Sequence, residues 1–138
     1  QIISAASGIS VGVTKAGRSN QSDPETRNID DTNTKGNYSN LKDSPSVGEG
    51  KTFTKKQKSD IYEQNISKNG GVLRSDLDGK ELVMPQKSRS GVTPPANEAQ
   101  IDHIVPKKPA DPNATPGTNS YSNAQVLSRE QNRDKSNK

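Results

Sequence analysis

Gln100-Ile101-Asp102-His103-Ile104-Val105-Pro106, then Ser122-Asn123-Ala124-Gln125-Val126-Leu127, then Ser128-Arg129-Glu130-Gln131-Asn132-Arg133-Asp134-Lys135 is the stretch that decides how this chain reads. Gln100 to Val105 predicts a strand, which Pro106 stops. Lys107 to about Thr118 is rich in Pro, Asn, Gly and Thr and predicts a polar loop. Tyr121 to Leu127 predicts an extended return segment. Ser128 followed three residues later by Gln131 is a capping box, so a helix should start at Arg129 and fray towards the end of the chain. The order is therefore strand, long loop, strand, helix. Asp102, the single His of the chain, Asn123 and Asn132 all fall within it.

Working outward, Thr54 with Gln57 is a second capping box. It predicts a helix to about Ser67, stopped by the left-handed signal Asn69-Gly70-Gly71. Ile61 with Asn65 and Tyr62 with Ile66 would line one side of that helix. Val72 to Ser75 and Glu81 to Met84 predict a β-hairpin around the turn Asp76-Leu77-Asp78-Gly79. Lys87 to Asn97 predicts a basic loop rich in Pro and Gly. Residues 1–50 are rich in Ser, Asn, Thr, Gly and Asp and show no sustained period of 2 or 3.6. Ile2, Ile3, Ile9, Val11 and Val13 could form a short strand if something received it. The expected organisation is thus a largely irregular linker or delivery segment over 1–50 and a folded α+β domain over 51–138.

Composition narrows the classes. Of 138 residues, 25% are hydrophobic and 3% aromatic, which excludes a large core over the whole length. Without Cys there is neither a disulfide framework nor a thiolate zinc site. No apolar run is long enough to span a membrane. The start at Gln, with no basic leader before Ile2-Ile3-Ser4-Ala5-Ala6, reads as a fragment of something longer rather than as a signal peptide. Charge is uneven: residues 1–50 carry 5 Lys/Arg against 6 Asp/Glu, and residues 51–138 carry 15 against 10. The basic excess therefore accompanies the 101–135 stretch, where it would suit a phosphate backbone.

Cutting a phosphodiester with water needs a proton acceptor, a counter-charge for the phosphate and leaving oxygen, and alignment of the two. His103 is the natural general base, since an imidazole titrates near neutrality. Asp102 offers a hard anionic oxygen to a divalent cation, and Asn132 a neutral oxygen from the terminal helix. Two such oxygens plus water suit Mg²⁺, with Mn²⁺ or another divalent cation able to replace it, and suit tetrahedral zinc poorly. Asn123 can hold the loop near His103 through its amide. Arg74, Arg129, Arg133 and Lys135 are candidates for contacting nucleic acid, on charge and proximity alone. A single Asp-His pair is an ordinary turn or core feature. Its conjunction, in order, with Asn123 and Asn132 makes it a candidate site.

Asp-His-Ile-Val-Pro, then Asn-x-x-Val-Leu-Ser-Arg, then Asn-Arg-x-Lys-Ser resembles the HNH, or ββα-metal, nuclease family in a variant with Asn at the third position. The resemblance covers Gln100 to Lys138 strongly and residues 51–99 more loosely. It is similar to the HNH domain of RNA-guided CRISPR effector nucleases. Gly70 to Ser75 and Lys87 to Pro94 look instead like C-terminal nuclease modules of bacterial polymorphic toxins, of the contact-dependent inhibition and Rhs types. The resemblance implies that Asp102 and Asn132 hold the metal, that His103 activates water and that Asn123 is structural. Two departures accompany it. Pro116-Gly117 stands where the family loop has Gly-Gly, and Asn132 stands where many relatives have His, which implies weaker metal affinity.

The expected function is a DNase of low sequence specificity, secreted or displayed on a cell surface and delivered into the cytoplasm of target bacteria. A cognate immunity protein would be its partner, and no small-molecule cofactor would be needed. Alternatives are a housekeeping or phage HNH endonuclease, an RNase, and a non-catalytic basic nucleic-acid-binding module of a surface protein.

Overall fold

The computed structural model describes residues 34–138. The possible strand read near Ile2 to Val13 lies outside the described residues. The elements follow in the order α1 (Lys55–Lys68), β1 (Ala99–His103), a single 3-10 turn (Tyr121–Asn123), β2 (Ala124–Ser128) and α2 (Arg129–Lys135). Over the described residues this is a small α+β fold with two α-helices and one two-stranded antiparallel sheet.

Both capping boxes form. Thr54 accepts from the Gln57 backbone while the Gln57 side chain accepts from the Thr54 N–H, and Ser128 and Gln131 do the same at α2. Each box satisfies two donors that a helix start leaves without partners. At the other end of α1 the Gly71 N–H donates to the Ile66 carbonyl across Gly70, whose φ of 69° suits glycine. Ile61 and Tyr62 face the core from α1, with Ile66 packed beside them. Asn65 is buried on the same side, and its amide donates to the Tyr38 hydroxyl and the Arg74 carbonyl while accepting from the Arg74 N–H.

The expected hairpin over 72–84 does not form two regular strands. Ser75 N donates to Lys80 O and Leu82 N to Leu73 O, but only the Arg74–Glu81 pair bridges. The chain is drawn elsewhere on both sides of the turn. Asp76 N donates to Val126 O, and the Asp76 carboxylate accepts from Val126 N, so the turn seals the outer edge of β2. Val83 leaves in the other direction to bridge Glu98 in parallel. Covering an open strand edge satisfies groups that would otherwise invite another chain.

Order also begins earlier than the expected boundary at 50. Tyr38 is 1% exposed within the core cluster and Val47 is buried. The packed unit therefore includes residues 34–50, which composition assigns to a linker. Asp43 explains part of this: its carboxylate accepts from the Ser120 hydroxyl and the Tyr121 N–H, capping the 3-10 turn just before β2. That turn also shortens the return segment, so β2 runs from Ala124 to Ser128 rather than from Tyr121.

Candidate active site at the end of strand β1

Antiparallel pairing places Asp102 opposite Gln125 and His103 opposite Ala124. Side chains alternate along a strand, so Asp102 and His103 leave opposite faces of the sheet. On one face Gln100 and Asp102 meet α2. On the other, His103 meets the segment that leads into α1.

Asp102 is buried, and its Oδ2 accepts from Gln125 Nε2 at 2.8 Å. The same oxygen pairs with Lys135 Nζ at 3.2 Å. Lys135 Nζ donates in addition to the His103 carbonyl at 3.1 Å and the Lys138 carbonyl at 2.8 Å. Asn132 lies one turn earlier on α2, and its Nδ2 donates to Gln100 Oε1 at 2.8 Å. α2 thus presents Asn132 and Lys135 to β1, and both bring N–H donors to the Asp102 face.

His103 is held by two contacts. Its Nε2 lies 2.8 Å from the Lys51 carbonyl, and its ring packs on Phe53 with centroids 4.4 Å apart, tilted by 32°. A carbonyl oxygen only accepts, so Nε2 carries the proton and Nδ1 keeps its lone pair. Burial pushes the imidazole pKa below its ordinary value, with the Lys107 and Lys135 charges adding to the fall. The Lys51 carbonyl and the Asp102 charge oppose that shift without reversing it.

Asn123 joins the two ends of the loop. Fully buried, it accepts from Val105 N at 2.8 Å through Oδ1, and its Nδ2 donates to the Val105 and Thr118 carbonyls. Its own backbone carbonyl accepts from Ile104 N. The chain just after His103 is therefore tied to the start of β2. Gly117 is part of the same closure, because a Cβ there would lie 1.8 Å from the Val105 carbonyl oxygen.

Not every candidate is gathered here. The Arg74 guanidinium donates to the Gly79 carbonyl and closes its own turn. Arg129 and Arg133 line a groove with Ala96, Glu130 and Asp134, and neither makes a hydrogen bond or ion pair to Asp102 or His103. Lys135 alone of the four basic candidates reaches the Asp102–His103 pair. Other residues join the site that the sequence did not single out: Gln100, Gln125, Phe53, the Lys51 carbonyl, and Lys107, whose Nζ donates to Thr52 Oγ1 at 2.9 Å. The spacing of Gln100 and Asp102 by two was a usable signal for a shared face. The Lys51 contact had none, because it spans 52 positions. Among the described residues no group of three or more His, Cys, Asp or Glu gathers, so no closed carboxylate or imidazole cage is present there. Nor is any helix among them long and apolar enough to cross a membrane. In comparisons with known proteins, no family model, no curated protein and no solved structure matches this chain.

Proposed function

We propose that residues 99–138 are a ββα-metal module of the HNH type, acting as a divalent-metal-dependent endonuclease on DNA with little sequence preference. The observation that carries the reading is the division of labour at the end of β1. Asp102 is turned to α2, where it already neutralises a cation, while His103 is fixed on the other face with Nδ1 available as a base.

The donor set fits Mg²⁺ or Mn²⁺. Asp102 supplies a buried anionic oxygen, and Asn132 supplies an amide whose nitrogen is engaged by Gln100 and whose oxygen makes no hydrogen bond among the described residues. Bound there, such a cation supplies positive charge against the phosphate and the leaving oxygen. His103 Nδ1 takes the proton of the attacking water as its oxygen bonds to phosphorus and the ester P–O bond breaks. The Lys51 carbonyl steadies the imidazolium that results, because it accepts from Nε2–H throughout. Asn123 holds the turn after His103 so that the ring keeps its bearing on the phosphate.

The biological setting proposed is a toxic effector of interbacterial competition, delivered into the target cytoplasm and neutralised by an acidic immunity protein. The excess of Lys and Arg over residues 51–138 supports electrostatic pairing with such a partner and with DNA alike. One observation favours a second reading, a non-catalytic nucleic-acid-binding module: Lys135 already occupies the Asp102 carboxylate.

Cleavage of supercoiled plasmid decides between them, run with Mg²⁺, with EDTA and with His103→Ala. Nicking that EDTA and the substitution both abolish is the expected result. Cutting that survives His103→Ala overturns the mechanism. Binding of DNA without cutting of DNA or RNA under any divalent cation selects the binding module.

A further inference from the structure

Lys135 is placed as a cation rather than as an ordinary surface lysine. Its Nζ donates to the His103 and Lys138 carbonyls and forms an ion pair with Asp102 Oδ2 at 3.2 Å. Its side chain is 21% exposed and that of Asp102 10%, so the pair is largely withdrawn from water. An unpaired carboxylate at that depth would be strongly unfavourable, and the lysine removes that penalty. Yet the carboxylate it neutralises is the one the nuclease reading needs for metal. A divalent cation and an ammonium held at one carboxylate repel each other.

We propose, resting on that nuclease reading, that Lys135 is a tethered stand-in for the metal and that loading the site is an exchange. Lys135 Nζ leaves Asp102 as the divalent cation arrives at Asp102 and Asn132. The released ammonium stays within a side chain's reach on α2, facing the nucleic acid, where it pairs with a phosphate oxygen. Lys135 thereby acts as a positioning residue twice. It keeps β1 and α2 together before metal binds, and it turns to substrate afterwards. Asn132 does not move away, because its amide nitrogen remains on Gln100.

The test is Mn²⁺ binding by calorimetry on the full chain in metal-free buffer, for wild type, Lys135→Met and Lys107→Met, with melting followed in EDTA. Lys107 is the control: its charge also acts on His103, but its ammonium bonds Thr52 and does not touch Asp102. Exchange predicts that Lys135→Met binds Mn²⁺ about tenfold more tightly, melts lower in EDTA and gains more from added Mn²⁺ than wild type does. It predicts that Lys107→Met changes affinity less than about twofold. If Lys135→Met does not fold, Lys135→Gln keeps a donor for the His103 carbonyl while removing the charge, and carries the same prediction. Equal Mn²⁺ affinity in wild type and the Lys135 variants, or an equal gain in Lys107→Met, overturns the exchange and leaves the nuclease reading standing. Absence of Mn²⁺ binding in all of them overturns both.

Discussion

His103 shows how much a single contact can decide at the scale of one residue. With Nε2–H on the Lys51 carbonyl, only Nδ1 is left to accept a proton, and burial against Phe53 keeps it unprotonated at lower pH than a free imidazole. Cleavage should therefore hold its rate as pH falls to about 6.5, the ordinary histidine value, and decline only below it. Single-turnover rates across pH measure this, and a midpoint above pH 7 would count against His103 as the base. The same depression has a stability sign. A histidine whose folded pKa lies below its unfolded one leaves stability intact above the unfolded value. Stability is then lost as pH falls from there through the folded value. The urea midpoint of wild type should thus drop below about pH 6.5 relative to that of His103→Gln, whose side chain does not titrate. Phe53→Ala should cost about 3 kcal/mol by denaturant unfolding and raise the His103 pKa towards its ordinary value, read from imidazole chemical shifts.

Single elements are governed by their ends and their closures. The loop between β1 and β2 is tied at Asn123 and Gly117, which crowd together at the same Val105 carbonyl. Asn123→Ala leaves Val105 N–H and two carbonyls without partners in a buried place and should cost about 3 kcal/mol. Gly117→Ala drives a Cβ into main chain rather than into a yielding side chain, so a loss of about 3 kcal/mol is expected here too, with the loop displaced. Both are checked by urea unfolding, and wild-type stability in either variant would refute this account of the closure. At the start of α2 the two members of the capping box differ in weight. Ser128→Ala should cost about 1 kcal/mol through its cap. Gln131 does more than close the box, because its Oε1 also accepts from the Ser75 hydroxyl and links α2 to the 74–82 turn.

For the molecule as a whole, Asp76 is the junction. Its carboxylate accepts from the Tyr38 hydroxyl, the Asn37 amide and the Val126 N–H, and so joins residues 34–38, the turn after α1 and the edge of β2. Asn65 of α1 completes the group by donating to the same Tyr38 hydroxyl. The 34–53 segment then continues past Thr118 and Asn119, where Gly50 N donates to Gly117 O and Gly48 N to Asn119 Oδ1, before it offers Lys51 O to His103. Removal of residues 34–50 should therefore lower the melting temperature by more than 10 °C, since it strips Tyr38 from the core and loosens the carbonyl behind the imidazole. Calorimetry of the shortened chain measures this. An unchanged transition would restore the boundary at 50 that composition suggests.

Some of this organisation was legible in the amino-acid order alone. Thr54 with Gln57 and Ser128 with Gln131 announced both helix starts, because a capping box is closed by residues three apart and needs nothing from the rest of the chain. Asn69-Gly70-Gly71 announced the stop of α1 for the same local reason. The strands at Asp102 and at Val126 were legible too, though their ends shifted by a few residues. Tertiary structure decided what those elements do for one another. Register put Gln125 opposite Asp102, and packing of α2 brought Lys135 to that carboxylate across more than thirty positions. The same packing left Arg74, Arg129 and Arg133 elsewhere. Residues 34–50 look like a linker by composition and yet belong to the core, because Tyr38 finds its partners on Asn65 of α1 and Asp76 of the following turn, and Asp43 finds its own in the turn before β2. The physical reason is common to all these cases. Caps and turns are short-range hydrogen-bonding problems with local solutions, whereas the partner of a buried charge or ring is set by which surfaces close over it.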